Sequence, residues 1–327
     1  MKTEKTNRNE KPMDEGRRNF VVGTAAAAVS AGLTTGIIPN AFADSHKPSK
    51  IKEFAGRSAF VTGAARGIGY ACAESLARRG ANIVLFDIAK QIKEVPYPLA
   101  TSKDLENAKK KIESFGVKCI AVKGDVRDGE AQAAAMKRAV SEFGSLDFVV
   151  ANAGITQIGA MEGFSEAELS LVIDINLKGV IKTVGVATPI LKAQKSGRIV
   201  MMSSVTGRTG SPNFPIYSAT KWGVIGLTKS TAMALGKFNV TCNALCPTLV
   251  HTKLLDNDYV LSRLVPGRKL TFEQFNQAAK GRHILPVGLF GAEHVGEAAA
   301  YLCSEGSAMI SGDVFDIGAG ANAQFPA

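Results

Sequence analysis

Short apolar runs alternate with longer segments of helical periodicity from Arg57 to the end of the chain. The apolar runs are rich in Val, Ile and Phe, and their alternation with helices is the order expected of a parallel sheet covered by helices on both faces. The predicted strands are Ser58 to Thr62, Asn82 to Asp87, Lys118 to Lys123, Leu146 to Ala151, Gly197 to Met202, Asn239 to Cys246 and Asp313 to Asp316. The predicted helices are Gly67 to Arg79, Ser102 to Phe115, Gly129 to Phe143, Ser165 to Lys195, Tyr217 to Phe238 and Glu293 to Cys303. The pattern predicts one α/β domain with a doubly wound parallel sheet of about seven strands.

The beginning of the chain lacks this alternation and resembles an export signal. A polar, charged start gives way at Phe20 to a weakly apolar stretch without charge up to Asp44. Arg17-Arg18 precedes this stretch, and Ala41-Phe42-Ala43 follows it, which is the order of a twin-arginine signal and its peptidase site. We therefore expect export to the periplasm and no membrane span after cleavage. The alternative is that Arg17-Arg18 is a chance pair before a disordered or membrane-anchoring tail. If the signal does not function, the protein stays in the cytoplasm.

These features divide the chain into three parts. Residues 1–43 are predicted to be the signal, residues 44–56 a short leader, and residues 57–327 the α/β domain. A hydrophobic content of 46% is that of a globular protein. The net charge of +10 is spread along the chain and interleaved with acids, so no nucleic acid partner is expected.

The five cysteines are predicted to be core residues rather than disulfide partners. Their number is odd, and they are scattered through apolar segments. Cys242 and Cys246 lie in one predicted strand, where four residues span roughly 13 Å. A disulfide needs Cα atoms less than about 7 Å apart. No metal site is predicted either.

A glycine-rich turn follows the first predicted strand. Its residues run from Thr62 to Gly69, and the glycines stand where the backbone turns sharply and approaches a pyrophosphate. The N-terminus of the next helix then faces the phosphates with its dipole. The residues predicted to contact a nucleotide here are Gly63, Arg66, Gly67, Ile68 and Gly69.

Asp87 ends the second predicted strand, about 20 residues after the turn, where a carboxylate accepts the ribose hydroxyls and repels a 2′-phosphate. This favours NAD. Arg66 is the contrary signal, because a basic residue beside the glycines often accompanies NADP in similar enzymes. We favour NAD, since the Asp87 charge would lie against the phosphate whereas Arg66 can turn away into solvent.

Two further strand ends carry candidate contacts to the cofactor. Asp125-Val126 follows the third strand, where a carboxylate reaches an adenine amino group, although a helix cap is the alternative. Asn152-Ala153-Gly154 follows the fourth strand, and its small residues let the cofactor pass close to the backbone.

Tyr217 and Lys221 are four residues apart in a predicted helix, so their side chains share one face. Ser204 follows a strand thirteen residues before Tyr217, and Asn176 lies in the preceding long helix. A phenol with a reference pKa near 10 is a poor base at neutral pH unless a cation stabilises its phenolate. Lys221 and an oxidised nicotinamide are the candidate cations.

The glycine turn, Asn152-Ala153-Gly154, Asn176, Ser204, Tyr217 and Lys221 together resemble the short-chain dehydrogenase/reductase family over roughly residues 50 to 320. The resemblance implies a Rossmann-type fold, hydride exchange between a secondary alcohol or ketone and NAD, and a homotetramer formed through the helices of Asn176 and Tyr217. It also implies the roles of the catalytic set: Tyr217 is the general acid/base, Lys221 lowers its pKa and binds the nicotinamide ribose, Ser204 orients the substrate oxygen, and Asn176 holds a relay water.

The resemblance also covers the end of the sixth strand. Pro247, Val250 and Thr252 fit the positions that lie beside the nicotinamide and hold its carboxamide. Cys246-Pro247-Thr248 departs from the usual Pro-Gly of the family, and Thr248 is expected to narrow the space there.

An insertion from Val95 to Thr101 follows the second strand and is similar to that of the mycofactocin-associated subgroup, which includes carveol-type dehydrogenases. That resemblance implies an NAD that does not exchange and an external electron acceptor. The alternatives are a surface loop of no consequence and an ordinary exchanging NAD(P)-dependent reductase. Members of the subgroup usually lack an export signal, which leaves the identity of the acceptor open.

The segment of about residues 250–291 is predicted to form a lid over a small lipophilic alcohol or ketone. Its apolar residues are Leu254, Leu255, Tyr259, Leu261, Leu264, Phe272 and Phe275, which are equally consistent with helix core or a subunit contact. Two other classes remain: a non-catalytic NAD-binding protein and a membrane-tethered scaffold. An intact set of Asn, Ser, Tyr and Lys disfavours both.

Overall fold

The computed structural model of the protein describes residues 52–265 and 267–324. Its strands are β1 (Ser58–Thr62), β2 (Asn82–Asp87), β3 (Cys119–Lys123), β4 (Phe148–Ala151), β5 (Gly197–Met202), β6 (Val240–Pro247) and β7 (Val314–Ile317). They form one 7-stranded sheet in the order β3-β2-β1-β4-β5-β6-β7, and every neighbouring pair is parallel. The order reverses between β1 and β4, which is the switch point where Rossmann-type folds bind nucleotides. The predicted fold class is confirmed.

The α-helices are α1 (Gly67–Arg78), α2 (Ser102–Glu113), α3 (Gly129–Phe143), α4 (Glu166–Ile173), α5 (Gly179–Gln194), α6 (Pro215–Leu235), α7 (Asp258–Arg263), α8 (Phe272–Lys280) and α9 (Glu293–Cys303). Successive side chains of β1 point to opposite faces of the sheet. Val61 packs into a core with Leu76 of α1, whereas Phe60 packs into a second core with Met136 of α3. The sheet is therefore covered on both faces, as the alternating pattern predicts.

Residues 52–56 also pack on the domain, although they precede its predicted start. Phe54 is 3% exposed, and its ring lies 4.9 Å from that of Phe148. The predicted signal peptide and its cleavage site lie outside the described residues. Within the described part of the chain, no helix is long and apolar enough to cross a membrane.

The predicted helix from Ser165 to Lys195 is divided. A π-helical turn, Asp174–Lys178, separates α4 from α5. A π turn adds one residue to a helical turn and is frequent at functional sites, and Asn176 is at its centre. Two short helices that the sequence does not predict, α7 and α8, lie within the segment that it assigns to the lid.

Candidate active site

The turn between β1 and α1 forms one wall of the site. Gly63 has φ +64° and Gly67 has φ +61°, conformations that residues with side chains rarely adopt. A Cβ on Gly69 would lie 2.2 Å from the carbonyl oxygen of Gly63, so only glycine lets the helix begin this close to the strand. The N-terminus of α1 has unpaired N–H groups, as the binding of phosphate groups requires.

Side chains from neighbouring strand ends hold this turn. The Asp87 carboxylate is 6% exposed and accepts hydrogen bonds from the N–H groups of Ala65 at 3.0 Å and Ala89 at 2.9 Å. The Asn152 amide donates to the carbonyl oxygen of Thr62 at 2.9 Å, and the Thr62 hydroxyl accepts from the N–H of Asn152 at 2.9 Å. Because each carboxylate oxygen accepts more than one hydrogen bond, Asp87 fixes the turn and still offers acceptor sites to a ligand.

Arg66 is bound to the insertion and does not turn away into solvent as expected from the sequence. Its guanidinium donates to the carbonyl oxygen of Pro98 at 2.5 Å. In the same loop, the Tyr97 side chain is 3% exposed, and its hydroxyl accepts from the N–H of Thr156 at 2.8 Å. Burial raises the pKa of this phenol above its usual value. The insertion therefore packs on the site through Val95, Tyr97 and Ala100, whereas Pro96 and Pro98 are exposed.

Asp125 does not cap a helix, because the N-cap of α3 is Asp128. Its carboxylate instead accepts from the guanidinium of Arg127, with the closest N···O distance 2.6 Å. Burial alone would raise the pKa of Asp125, but the hydrogen bonds from Arg127 outweigh it and hold the pKa below the usual value. The carboxylate is thus ionised and oriented beside Val126.

Tyr217 and Lys221 occupy the N-terminal part of α6, with the Lys221 Nζ 5.4 Å from the centre of the Tyr217 ring. The lysine is 3% exposed and donates to the carbonyl oxygen of Met202 at 2.8 Å. Ser204 follows β5, and its hydroxyl interacts with the Tyr217 phenol.

Burial acts oppositely on the two titratable groups. It raises the pKa of Tyr217 to about 12, against the effect of the Ser204 hydroxyl, and lowers the pKa of Lys221 to about 8. In the protein without a cofactor, the phenol is therefore protonated at neutral pH, and Lys221 together with an oxidised nicotinamide stays the predicted source of the charge that would stabilise its phenolate. A further positive charge beside the phenol is needed to make it a base near neutral pH.

Asn176 fixes the segment after β4. Its side-chain oxygen accepts from the N–H of Ile155 at 2.9 Å, and its amide donates to the carbonyl oxygen of Ile155 at 2.8 Å. A Cβ on Gly154 would lie 3.4 Å from the Asn176 oxygen and 3.7 Å from the Lys221 Nζ. Asn176 and Lys221 thus both lie beside Gly154, and the Asn176 amide group is hydrogen-bonded to the backbone of Ile155. That Asn176 holds a relay water stays a prediction.

A single cavity of about 910 Å³ joins these parts. All but two of the predicted site residues line it, the exceptions being Gly69 and Asn176, which lie behind its wall. The predicted residues that line it are Gly63, Arg66, Gly67, Ile68, Asp87, Asp125, Val126, Asn152, Ala153, Gly154, Ser204, Tyr217, Lys221, Pro247, Val250 and Thr252.

The lid segment contributes less of its apolar set than predicted. Leu254 and Leu255 line the cavity, whereas Leu261 and Phe275 are buried within the lid, each 6% exposed. Tyr259 donates to and accepts from the backbone of Ile158. The lid is thereby tied to the segment after β4.

The cavity wall also contains a contact that the sequence does not predict, between Thr248 and His283. The Thr248 hydroxyl lies 2.9 Å from His283 Nε2. No local motif announces this pair, because the residues are 35 positions apart and meet only when the lid folds.

The comparisons with known proteins agree with this geometry. The family model for short chain dehydrogenases matches residues 57–259. The (-)-trans-carveol dehydrogenase of Rhodococcus erythropolis is 37% identical over 268 residues, covering 81% of this chain and 97% of the relative. The crystal structure of carveol dehydrogenase from Mycobacterium avium in complex with NAD has a TM-score of 0.80 at 34% identity, over 83% of this chain and 99% of that one. A short chain dehydrogenase from Mycobacterium paratuberculosis bound to NAD has a TM-score of 0.75 at 28% identity, over 84% and 100% of the two chains.

A parallel sheet with its switch point at β1 and β4, and a Tyr-Lys pair at the carboxyl ends of the strands, define an oxidoreductase of the Rossmann type. The chain belongs to the short-chain dehydrogenase family, and the predictions of family and enzyme class are confirmed. The structures of two relatives contain NAD, which agrees with the predicted cofactor.

Proposed function

We propose that this protein is an NAD-dependent dehydrogenase of a small lipophilic secondary alcohol, with Tyr217 as the general acid/base. The observation that carries this proposal is that Tyr217, Lys221 and Ser204 line the same cavity as the glycine turn and Asp87. The names of the carveol dehydrogenase relatives support a terpenoid-like alcohol or ketone as the substrate class.

The residues present fit NAD better than NADP. The Asp87 carboxylate has free acceptor capacity for the ribose hydroxyls and would repel a 2′-phosphate. Arg66, the nearby cation that could offset this repulsion, donates to Pro98 of the insertion. Bound NAD would supply a hydride acceptor and, in its oxidised ring, a positive charge that adds to that of Lys221 beside the Tyr217 phenol.

Alcohol oxidation then follows from the positions of the side chains. Ser204 orients the substrate hydroxyl, and Tyr217 removes its proton while the hydrogen on the same carbon leaves as hydride. Lys221 is protonated below its pKa of about 8, and in that form it stabilises the Tyr217 phenolate. Ketone reduction is the reverse, with Tyr217 returning the proton.

We further propose that the insertion retains the cofactor. Ile92, Tyr97 and Leu99 line the cavity wall next to Asp87. The Gln91 side chain braces the loop, donating to the carbonyl oxygen of Val95 at 2.9 Å and accepting from the N–H of Leu99 at 3.0 Å. Release of NAD from this side would require the loop to leave Arg66 and Thr156, which slows exchange.

The test is to purify the protein natively, denature it and identify the released nucleotide by mass spectrometry. Activity on lipophilic alcohols is measured in parallel with an artificial electron acceptor and with added NAD. We expect about one NAD per chain and turnover with the acceptor alone. An empty protein that reduces added NAD would instead be an ordinary exchanging dehydrogenase, and the retention proposal would fail while the dehydrogenase proposal stands.

Arg66→Ala sharpens this test, because it removes the bond between the glycine turn and the insertion. We expect NAD release to accelerate about tenfold, the effect of one charged hydrogen bond. Arg78→Ala, at the other end of α1 and paired with Glu74, is the matched control.

Export through the twin-arginine route is part of the same proposal. That route carries folded proteins with their cofactor in place, and the periplasm offers little free NAD. An exported enzyme would therefore need to retain its NAD and to pass the electrons to an external acceptor. Cell fractionation and the N-terminal sequence of the mature protein test it, with cleavage after Ala43 as the expected result.

A further inference from the structure

Thr248 and His283 form a hydrogen-bonded pair in the cavity that the reaction described above does not use. The Thr248 hydroxyl lies 2.9 Å from His283 Nε2, and His283 Nδ1 lies 3.0 Å from the carbonyl oxygen of Val287. The imidazole is 7% exposed and lies 5.8 Å from the ring of Phe290. Both residues line the cavity together with Tyr217.

The chemistry of these contacts fixes the direction of each hydrogen bond in the neutral ring. A carbonyl oxygen only accepts, so Nδ1 carries the proton and donates to Val287. The unprotonated Nε2 is then an acceptor, and the Thr248 hydroxyl must donate to it. The Thr248 oxygen can therefore accept a hydrogen bond from a group in the cavity but cannot donate one.

The Thr248 side chain is also fixed in orientation. A Cβ on Gly318 would lie 2.8 Å from the Thr248 methyl carbon, so the methyl packs against the backbone of the C-terminal segment. The N–H of Thr248 donates to the carbonyl oxygen of Ile317 at 3.1 Å. The N–H of Ile284, next to His283, donates to Ala319 of the same segment at 2.9 Å. Residues at the end of β7 and directly after it therefore hold both Thr248 and the segment of His283.

We propose that Thr248, oriented by His283, is a specificity-determining acceptor for a second hydroxyl group of the alcohol substrate. The inference rests on the proposed function and adds a requirement to it. Ser204 and Tyr217 bind the reacting oxygen, and Val250 and Thr252 are assigned to the carboxamide, so the Thr248 oxygen remains for another part of the substrate. Since it offers only lone pairs, it selects an O–H and not an ether or a carbonyl at that position.

The test compares three probes that share a ring: cyclohexanol, 3-hydroxycyclohexanol and 3-methoxycyclohexanol. The methoxy group accepts hydrogen bonds but cannot donate one, so the ratio of kcat/KM for the hydroxy and methoxy probes, counted per oxidisable hydroxyl group, isolates the donor. The wild-type enzyme should favour the hydroxy probe about three- to tenfold, the net effect of one hydrogen bond. Dissociation constants of the same probes for the NAD-loaded protein, measured by calorimetry, give the same ratio without turnover.

Variants of Thr248 and His283 test whether these residues cause the preference for the hydroxy probe. Thr248→Val keeps the shape and removes the oxygen, so the ratio should fall to about one, whereas Thr248→Ser should keep it. His283→Phe frees the Thr248 hydroxyl to donate a hydrogen bond to the methoxy oxygen. The kcat/KM of the methoxy probe should therefore rise, and the ratio should again approach one. Thr188→Val, outside the cavity on α5, should leave the ratio at the wild-type value.

The outcomes separate this inference from the proposed function. Absence of turnover with all probes, but a hydroxy preference in binding that Thr248→Val abolishes, would count against the dehydrogenase and support the acceptor. Turnover without a hydroxy preference, or an equal loss of preference in Thr248→Ser and Thr248→Val, would overturn the acceptor and leave the dehydrogenase intact.

Discussion

The nucleotide side of the cavity and its substrate side are held by different kinds of contact. On the nucleotide side, the glycine turn, Asp87 and Asn152 are joined by hydrogen bonds between adjacent strand ends. On the substrate side, the lid of residues 250–291 is held by two side-chain contacts, Tyr259 on Ile158 and His283 on Thr248, and by backbone hydrogen bonds to Ala319. The first side is part of the sheet, whereas the second is a separate segment folded onto it. Disturbing one should therefore leave the other largely unchanged.

Tyr217→Phe is expected to have the largest effect, because it removes the proposed proton acceptor between the two sides. Turnover should fall by about 10²- to 10⁴-fold, the range for loss of a general acid/base. The NAD content of the purified protein should stay the same, since the phenol does not build the nucleotide side. Tyr301→Phe, on the exposed surface of α9, is the control. Unchanged turnover would defeat the mechanism and favour a protein that only binds NAD.

Asp87→Ala breaks the nucleotide side alone. It removes the acceptor for Ala65 and Ala89 and leaves two buried N–H groups without a partner, which costs about 1–3 kcal/mol for each group. Affinity for NAD should fall about 10- to 100-fold, while KM for the alcohol at saturating NAD changes little. Asp87→Asn keeps one acceptor oxygen, so its affinity for NAD should lie between those of the wild type and Asp87→Ala. An equal loss for NADP and NAD would show that Asp87 only supports the turn and does not select the cofactor.

The nucleotide side was predictable because each of its parts is local. Thr62 to Gly69, Asp87 and Asn152 each lie at the end of a predicted strand or directly after it, and parallel strands bring their carboxyl ends to one edge of the sheet. The substrate side was not predictable in the same way. The helices α7 and α8 are short and lie in a stretch without clear periodicity, and the contact of His283 with Thr248 spans 35 positions.

Asn176 shows a third case. Its place in a helix was predicted, but the π turn around it was not, because one extra residue in a turn hardly alters the helical periodicity of Ser165 to Lys195. The Asn176 amide group is hydrogen-bonded to Ile155, so the side chain positions the wall beside Gly154. Residue identity was therefore predictable, and the contact was not.

Lys221 lies where the two sides meet, and its burial makes stability depend on pH. Its pKa falls from 10.5 to about 8 in the folded protein. Between these values the unfolded chain binds more protons than the folded one, so stability rises as pH increases. In nucleotide-free protein, Lys221→Met should remove about 1–2 kcal/mol of this rise between pH 8 and 9.5. Urea unfolding at several pH values measures the free energy of unfolding. If this free energy changed with pH equally in the wild type and in Lys221→Met, the pKa of Lys221 would not be lowered by burial.

Tyr259→Phe tests the substrate side and is expected to have the smallest effect. The Tyr259 hydroxyl accepts from the N–H of Ile158 at 3.0 Å, and its ring lies 6.0 Å from that of Tyr97 in the insertion. Removing the hydroxyl removes both hydrogen bonds between the lid and Ile158, so KM for the alcohol should rise about three- to tenfold. The rate of NAD release should change little, because the Tyr97 ring and the Arg66 contact remain. If NAD release accelerated as much as it does in Arg66→Ala, the lid and the insertion would act as one cover, and the two sides would not be independent.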